Sequence, residues 1–381
     1  MHFELTEEQI LLRNMARDFA RKDIAPHDAE LEEREEFPKE ILRRLGELGL
    51  LGMNVPSEFG GQPIDSLSQI LVLEELAKAS AAVCVIVSVH VSLFCHALAR
   101  FGTEELKKKY LPSAARGDIL GAFSLTEPNA GSDAMAIRTS AVRRKDTFIL
   151  NGRKAWVTNG RNAGAIILFT AAAHPSGRRR LNAFVVEPGF PGFKMSKVEK
   201  KMGLHSSPTA EITLEDCEVP ASNLLGAEGQ GGTIALNGLD HSRVGIAAQS
   251  IGLAQRALEE AVRYAKQREA FGKKIADFQA VQFMLADIAT RTEAARLLTY
   301  RAARLKDSDR PFTAEAAMAK LFASETAKQA ADQALQVHGG YGYSREYAVE
   351  RIYRDARVLT IYEGTSEIQR LVIARHLLKE T

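Results

Sequence analysis

The sequence has 381 residues, of which 45% are hydrophobic and 26% charged, the proportions of an ordinary globular protein. At about 150 residues per domain, this length predicts two or three subdomains. The 50 basic and 48 acidic residues give a net charge of +2, which disfavours a dedicated nucleic-acid binder. The two dense basic clusters, 107–109 and 178–180, also lack the interleaved aromatic residues that base stacking needs.

The cysteines and the apolar segments predict an intracellular protein. Cys84, Cys95 and Cys217 form no paired motif and lie beside no histidine at metal-ligand spacing, so we expect neither a disulfide scaffold nor a metal site. The N-terminus has no basic stretch followed by an apolar one, so no secretory signal is expected. The 15 residues from 81 to 95 are the most apolar segment but fall short of the ~20 that cross a bilayer. We therefore predict a buried helix there, no membrane insertion and a cytoplasmic location.

Residues 1–120 are predicted to form an N-terminal helical domain. The capping-box pattern Thr6-x-x-Gln9 opens a helix with apolar residues at helical spacing, and Pro26 is expected to limit it. Further helices are indicated at 37–48, at 66–78, at 81–101 and from 103 onward. An antiparallel bundle is the economical way to bury their apolar faces.

Residues 121–230 are predicted to form a middle β-domain, because the apolar period changes to two near Gly121. Asn151-Gly152, between two β-rich runs, is the strongest hairpin signal in the chain. Since the connections are too short for crossover helices, we expect an antiparallel sheet. The β-rich runs are 148–150, 155–158, 166–170, 183–186 and 211–214.

Residues 231–381 are predicted to form a C-terminal four-helix bundle. Apolar residues return to helical spacing over 247–262 and 278–295, with a turn at Phe271-Gly272-Lys273 between them. The long apolar stripes must be buried against each other or against another subunit.

The usual nucleotide-binding and hydrolase motifs are missing from the sequence. No G-x-G-x-x-G follows a strand, and the P-loop, G-x-S-x-G and HExxH patterns do not occur. Five other segments, in this order and across essentially the whole chain, closely resemble the acyl-CoA dehydrogenase family. They are Ala122-Phe-Ser-Leu-Thr-Glu-Pro-Asn-Ala-Gly-Ser-Asp133, Lys154-Ala-Trp-Val-Thr-Asn-Gly160, Arg268-Glu-Ala-Phe-Gly-Lys273, Gln336-Val-His-Gly-Gly-Tyr-Gly342 and Tyr362-Glu-Gly-Thr-Ser366.

The resemblance implies the acyl-CoA dehydrogenase fold, with a helical bundle, an antiparallel β-domain and a four-helix bundle in that order. It implies FAD as cofactor, an acyl-CoA substrate, electron-transfer flavoprotein as acceptor, and a homotetramer whose FAD sites are shared between subunits. The run Val87-Ser-Val-His-Val-Ser-Leu93 looks most like short-chain and short-branched-chain members. The alternatives are an acyl-CoA oxidase or flavin monooxygenase on the same fold, and a helical scaffold without flavin.

The resemblance assigns two groups of residues to FAD. The first lies near the flavin ring and comprises Phe123, Leu125, Thr126, Gly131, Ser132, Trp156, Val157 and Thr158. By themselves these residues also fit an empty turn followed by a core tryptophan. The second group belongs to the nucleotide part or to the active-site loop and comprises Arg268, Phe271, Gln279, Gln336, Gly339, Gly340, Thr365 and Glu367. A guanidinium suits a pyrophosphate, and paired glycines let the backbone approach a ligand, although a helix cap is the plain alternative.

Glu363 is the candidate catalytic residue. Most glutamates are simply solvated, but the resemblance implies that this one removes the α-proton of an acyl-CoA thioester while the β-hydrogen leaves as hydride to FAD N5. Its pKa should be raised by desolvation, because an ordinary carboxylate is a weak base. In some relatives the glutamate occupies the position of Ser242, so Glu363 is the sole candidate here. The resemblance places Ser132, Asp240, Arg243, Tyr362 and Gly364 at the substrate.

Overall fold

The computed structural model describes residues 4–172 and 180–379. The N-terminal residues 1–3, on which the prediction about a signal segment depends, and most of the basic cluster at 178–180 lie outside the described residues. The described chain runs through a helical region, a β-sheet and a second helical region, in the predicted order.

The first helical region contains seven α-helices. Thr6 and Gln9 form the predicted capping box, since Thr6 Oγ1 accepts from Gln9 N at 3.2 Å and Gln9 Oε1 accepts from Thr6 N at 3.1 Å. The helices are α1 (Glu7–Phe19), α2 (Ala25–Glu33), α3 (Lys39–Glu47), α4 (Ser66–Ala79), α5 (Ala81–Ser88), α6 (His96–Phe101) and α7 (Glu104–Arg116).

Pro26 does not end the first helix, so that prediction was wrong. Residues 20–24 form a π-helical turn that links α1 to α2, and Pro26 lies in the first turn of α2. The missing N–H of a proline is tolerated at the start of a helical segment, and a π turn supplies the local change in hydrogen bonding.

The predicted helix at 81–101 is confirmed, but it is longer than the 15-residue apolar segment from which the argument against a membrane span was made. Helix α5, a π-helical stretch over 89–95 and α6 form one helical run, Ala81–Phe101, of 21 residues. By length and composition this run could cross a membrane, but 94% of its most apolar window is buried inside the protein. Burial against the rest of the fold, and not shortness, is therefore what marks it as a core helix.

Within the described residues the central sheet has seven strands and is mixed, which corrects the prediction of a purely antiparallel sheet. Strand β4 lies between β1 and β2 and pairs in parallel with both, after the chain has passed through the β2–β3 hairpin without a crossover helix. The other long pairings, β2–β3, β3–β7, β4–β5 and β6–β7, are antiparallel. The strands are β1 (Leu120–Ser124), β2 (Ser140–Arg144), β3 (Thr147–Thr158), β4 (Ala163–Ala172), β5 (Arg180–Val186), β6 (Phe193–Val198) and β7 (Thr209–Pro220).

Asn151-Gly152 forms no hairpin, contrary to the prediction. Both residues lie within β3, and the register with β7 shifts between Leu150 and Gly152. A Cβ at position 152 would lie 2.5 Å from the Thr139 hydroxyl, so the glycine permits a close approach at a β-bulge. The hairpin turn lies instead at Lys145, which adopts a φ of 52°.

The second helical region is dominated by three long helices. A two-stranded hairpin, β8 (Glu269–Ala270) and β9 (Lys273–Lys274), contains the predicted turn at Phe271-Gly272, where both residues have positive φ. Helix α8 is the longest and passes beside both the sheet and the C-terminal turn that carries Glu363. The helices are α8 (Gly231–Gln267), α9 (Gln279–Asp307), α10 (Thr313–His338), α11 (Ala348–Ala356) and α12 (Ser366–Leu377).

Candidate active site

Glu363 lies on a tight turn before α12. Glu363 and Gly364 have φ values of 53° and 91°, a left-handed conformation that is uncommon for a glutamate. Three hydrogen bonds hold the turn: Lys320 Nζ donates to Gly364 O at 2.8 Å, and Gln369 Nε2 donates to Glu363 O at 3.1 Å and to Gly364 O at 2.9 Å. A strained backbone persists only where its surroundings fix it, and here two buried side chains do so.

The Glu363 carboxylate has the electrostatics of a poised base. Burial raises its pKa above the ordinary value, while the Ser242 hydroxyl and the positive charges of Arg243 and Lys320 partly oppose that rise. Its Oε2 atom is buried, and neither this atom nor Ser242 Oγ makes a hydrogen bond of normal geometry with the described residues, although the Ser242 hydroxyl is close enough to Glu363 to lower its pKa. Two orphaned polar atoms next to each other indicate a place where a polar ligand atom binds.

The predicted substrate residues on α8 lie on the same side of the molecule. Arg243 pairs with Asp240 at 2.6 Å, and Thr313 Oγ1 donates to Asp240 Oδ2 at 2.7 Å. Arg243 is 5% exposed, and Ser242 beside it is 1% exposed. The Asp240–Arg243 pair therefore lies next to the Glu363 turn and joins α8 to the start of α10.

Tyr362 links the Glu363 turn to helices α8 and α5 through hydrogen bonds. Its hydroxyl donates to Gln249 Oε1, and Gln249 Nε2 donates to Ala81 O at 2.8 Å. Gln249 lies two turns of α8 beyond Ser242, about 10 Å along the axis. Between them Gly245 faces Ser88, since a Cβ at 245 would lie 2.7 Å from Ser88 Oγ. Helices α8 and α5 are thus in close contact at Gly245, and the Tyr362–Gln249–Ala81 hydrogen bonds tie the Glu363 turn to both helices.

The loop after β1 holds the first group of predicted cofactor residues. Glu127 and Ala130 exchange backbone hydrogen bonds at 3.1 and 3.0 Å and tighten the turn before Gly131. Lys154 Nζ donates to Leu125 O at 3.1 Å and to Glu127 Oε1 at 2.9 Å, and both side chains of this ion pair are buried. Leu125 is buried, Thr126 half-buried, and Ser132 exposed.

Trp156 projects from the sheet at a β-bulge. The register with β7 shifts between Lys154 and Val157, and Trp156 has a φ of 59°. A bulge of this kind re-aims a side chain. The Trp156 side chain is 59% exposed, whereas Val157 is 1% exposed. The alternative in which Trp156 is buried in the core was therefore wrong. Thr158, half-buried, ends the strand.

These two segments fit a flat aromatic cofactor. An exposed tryptophan offers a stacking face, and a Cβ at Gly131 would meet nothing within 4 Å, so its backbone is open to a ligand. Phe123 lies nearby, packed on Phe169 with ring centroids 4.8 Å apart. Its ring is also 3.6 Å from the Cβ position of Gly238, one turn of α8 before Ser242. Phe123, at the end of β1, thus lies against the part of α8 that precedes Ser242.

A separate cleft of about 620 Å³ gathers four residues of the second group, Arg268, Gln336, Gly339 and Gly340. The Arg268 guanidinium lies over the Tyr341 ring at 5.6 Å and makes no ion pair with the described residues. A Cβ at either glycine would meet nothing within 4 Å. Neither the Glu363 turn nor the residues predicted near the flavin ring line this cleft. One chain therefore does not bring the two groups of predicted FAD residues together.

The remaining predicted residues lie outside that cleft. Phe271 is 95% exposed at the tip of the β8–β9 hairpin, and Gln279 is exposed at the start of α9. Thr365 caps α12 by accepting from Ile368 N at 3.3 Å, and Glu367 lies in the first turn of that helix. The structure thus gives Thr365 a local structural role and brings neither Phe271 nor Gln279 to the Glu363 turn.

The histidines act as buried structural groups. His90 accepts from Gly121 N at 2.9 Å through Nδ1, and its Nε2 faces Ala114 O at 3.1 Å. His96 and His241 stack with centroids 3.7 Å apart, and His338 stacks on Tyr264 at 4.2 Å. Among residues 4–172 and 180–379, no group of three or more His, Cys, Asp or Glu side chains could hold a metal ion.

Sequence reasoning assigned no role to Lys154, Lys320, Gln249 or Gln369. A signal existed for Lys320, because it occupies an alanine-rich helical stripe with Ala316, Ala319 and Ala323, where a lysine breaks the apolar pattern. Lys154 likewise interrupts an apolar pattern, because it lies next to Ala155 in a buried stretch of β3. A lysine at a core position must find a carboxylate or a carbonyl group as partner, and both do.

Three family models cover nearly the whole chain. Residues 6–118 match the acyl-CoA dehydrogenase N-terminal domain, 122–217 the middle domain, and 229–378 the C-terminal domain. An acyl-CoA dehydrogenase from Bacillus subtilis is 50% identical over 99% of this chain and 100% of its own length.

Solved structures agree with these matches. The butyryl-CoA dehydrogenase of Megasphaera elsdenii superposes with a TM-score of 0.96 at 44% identity, covering 99% of this chain and 100% of that one. An acyl-CoA dehydrogenase from Bacillus anthracis, solved in complex with FAD, has a TM-score of 0.94 at 36% identity, covering 99% of this chain and 68% of that one. The fold and the family matches are those of an oxidoreductase. The chain belongs to the acyl-CoA dehydrogenase family, so the predicted family, fold class and enzyme class are confirmed.

Proposed function

We propose that this enzyme oxidises a saturated short- to medium-chain acyl-CoA to the trans-2-enoyl-CoA in an FAD-dependent reaction, with Glu363 as the base that removes the α-proton. One observation carries the proposal: in a chain of the acyl-CoA dehydrogenase family, a buried and unpartnered carboxylate oxygen lies on a turn clamped by Lys320 and Gln369.

Glu363 has what the proton step needs. An α-proton of a thioester is weakly acidic, so a base with a raised pKa and a carboxylate oxygen open to accept the proton, as Oε2 is, is favoured. The thioester carbonyl must also be polarised, and the Glu363 N–H donates to none of the described residues. We assign this N–H to the substrate carbonyl, as one donor of an oxyanion hole.

We assign the flavin ring to the space between Trp156 and the loop that contains Gly131, and the adenosine part of a partner subunit's FAD to the cleft around Arg268. When bound, FAD accepts the β-hydride at N5. On this chain Thr126, Ser132, Val157 and Thr158 are placed to bind and orient the ring, with Leu125 and Phe123 supporting it. Gln336, Gly339 and Gly340 would bind the nucleotide, with Phe271 and Gln279 presented to the partner subunit and Thr365 and Glu367 ordering the loop beside it.

The substrate residues follow from the same geometry. Asp240 and Arg243 would hold the pantetheine near the Glu363 turn, with Ser132, Tyr362 and Gly364 completing the contact. The Tyr362–Gln249–Ala81 hydrogen bonds join the Glu363 turn to α8 and α5 about 10 Å along α8 from Ser242. We assign the end of the acyl site to these residues, which favours short acyl chains. No lysine or arginine lies between 81 and 98, so a terminal carboxylate would be buried there without a counter-charge.

The assembly we propose is a homotetramer with shared FAD sites, acting in the cytoplasm and passing electrons to electron-transfer flavoprotein. The separation of the Arg268 cleft from the Glu363 turn supports shared sites, and the exposed Phe271 and Phe283 give the C-terminal helices an apolar surface for a partner subunit. We place the domain boundaries at 120 and 230, where the chain changes from helix to strand and back.

Moving the carboxylate tests the function. Ser242 and Glu363 lie side by side, so a Ser242→Glu change in a Glu363→Gly background returns a carboxylate to the same position from α8. We expect the Glu363→Gly variant not to reduce its flavin with butyryl-CoA, and the double variant to recover part of the rate. Stopped-flow flavin absorbance measures both. Full flavin reduction by Glu363→Gly alone would show that another group removes the proton.

A further inference from the structure

A fully buried lysine lies beside the proposed base. Lys320 is 0% exposed within the alanine-rich stripe of α10, and its Nζ donates to Gly364 O at 2.8 Å. A buried ammonium is costly unless a carbonyl group and a counter-charge compensate it. The Gly364 carbonyl group accepts a hydrogen bond from the ammonium, so a carboxylate is still needed as its counter-charge.

Glu363 is the carboxylate best placed for that role. Three acidic groups interact with Lys320: Glu363, Glu325 of the same helix, and Glu367 at the start of α12. Glu325 already pairs with Lys328 at 3.1 Å and accepts from Ser366 Oγ, and Glu367 is exposed. Glu363 has no ion pair among the described residues, which leaves it as the buried carboxylate available to Lys320.

The other charged neighbours do not replace this pair. Arg243 of α8 faces the same turn and lowers the pKa of Glu363 more than Lys320 does, but it already has a carboxylate partner, Asp240, at 2.6 Å. The pKa of Lys320 is lowered to about 8, mainly by burial and also by Arg243, while the charge of Glu363 opposes that shift. Tyr362, the remaining titratable group on the turn, is held protonated because burial raises its pKa.

We propose that Lys320 is a positioning residue for the base: its ammonium holds the turn of residues 362–364 through the Gly364 carbonyl, and its charge is the counter-ion of the Glu363 carboxylate. The proposal rests on the proposed function, in which Glu363 removes the α-proton. Both Glu363 and Gly364 have positive φ, so the turn needs an external clamp. Without the nearby positive charge, burial would favour the protonated carboxyl group, which cannot accept a proton.

Two substitutions at this position separate the clamp from the charge. Lys320→Gln removes the charge and keeps an amide donor, whereas Lys320→Met removes both. For each variant we expect the acidic limb of the pH profile of flavin reduction to shift to higher pH by about one unit. At a pH on the acidic side of that limb, flavin reduction should then be about tenfold slower than in the wild type. The rate should recover at higher pH, more completely for Lys320→Gln, with flavin content and KM unchanged. Lys108→Met, exposed on α7, is the control for loss of a lysine charge and should leave the profile in place.

A second readout needs no turnover. If Lys320 and Glu363 are counter-ions, Lys320→Gln and Glu363→Gln should each lower the temperature of unfolding, and the double variant should lose less than the sum. This cycle also decides the case in which Lys320→Met does not fold. Additive losses with an unmoved pH limb would overturn the role of Lys320, even if Glu363→Gln abolishes flavin reduction. Normal flavin reduction by Glu363→Gln would instead overturn the proposed function.

Discussion

Removing the buried Lys154 ammonium should loosen the loop that we assign to the flavin ring. Lys154 and Glu127 have side-chain exposures of 0% and 2% and lie 2.9 Å apart. Burial lowers the pKa of Lys154 to about 8, and Glu127 favours its charged form. Burial opposes ionisation of Glu127 as well, but Lys154, Thr139 and the Arg138 N–H together lower its pKa. Lys154→Met therefore leaves a buried carboxylate without its counter-charge.

The cost follows from the contacts that remain. Breaking a buried ion pair from one side costs about 3–5 kcal/mol. Glu127 would keep hydrogen bonds from Arg138 N at 2.7 Å and Thr139 N at 2.9 Å, which favours the lower end, while Leu125 O would lose its donor. We therefore expect a loss of about 3–4 kcal/mol in the free energy of unfolding, and weaker FAD retention because Leu125 precedes the loop.

Urea unfolding followed by circular dichroism measures the stability, and the flavin-to-protein absorbance ratio after gel filtration measures retention. The double variant Lys154→Met/Glu127→Gln should recover part of the loss, because it removes the uncompensated charge. Lys194→Met is the control: its pair with Glu215 lies in the same sheet but is exposed, so it should cost less than about 1 kcal/mol. A Lys154→Met variant as stable and as flavin-rich as Lys194→Met would refute the reasoning.

Three further results are expected. Arg268→Glu should lower FAD content, whereas Arg263→Glu, exposed on α8 five residues earlier, should not; equal content in both variants would contradict the role of Arg268 in binding FAD. Glutaryl-CoA should reduce the flavin far more slowly than butyryl-CoA, and comparable rates would show that the acyl space accepts a carboxylate. Burial lowers the pKa of His90 and of His96 to about 4, so the unfolded chain binds more protons below pH 6.5 and stability should fall as pH drops from 6.5 to 4. The slope is up to about 1.4 kcal/mol per pH unit for each histidine, and His90→Gln should reduce it; an unchanged slope would contradict the assignment.

Local patterns predicted the order of the elements and the family, since helical spacing, capping boxes and five motifs are properties of short stretches. The Thr6–Gln9 capping box and the Phe271-Gly272 turn depend on neighbours within four residues and were confirmed. Asn151-Gly152 has the local signal of a hairpin, but the distant Thr139 approaches Gly152 so closely that the glycine serves a bulge instead. Tertiary contact overrode the local preference there.

The parts of the candidate site that sequence reasoning missed depend on contacts between distant segments. Lys320 and Gly364 are 44 residues apart, and Lys154 and Leu125 are 29 apart. No single-sequence period reports such partners, although a lysine in an apolar stripe indicates that one exists. The mixed sheet was missed for a related reason, because the parallel pairing of β1 with β4 skips the intervening hairpin. The positive φ of Glu363 likewise has no signal beyond the following glycine.

The most direct test of the central claim is the reduction of bound flavin by the Glu363→Gln variant. Glutamine keeps the shape of the side chain and cannot accept the α-proton, so the variant should fold, retain FAD and bind an acyl-CoA. Mixing with butyryl-CoA should then bleach the flavin at least 10² to 10⁴ times more slowly than in the wild type, roughly the contribution of a general base. Bleaching within about tenfold of the wild-type rate would contradict the assignment of Glu363 as the base.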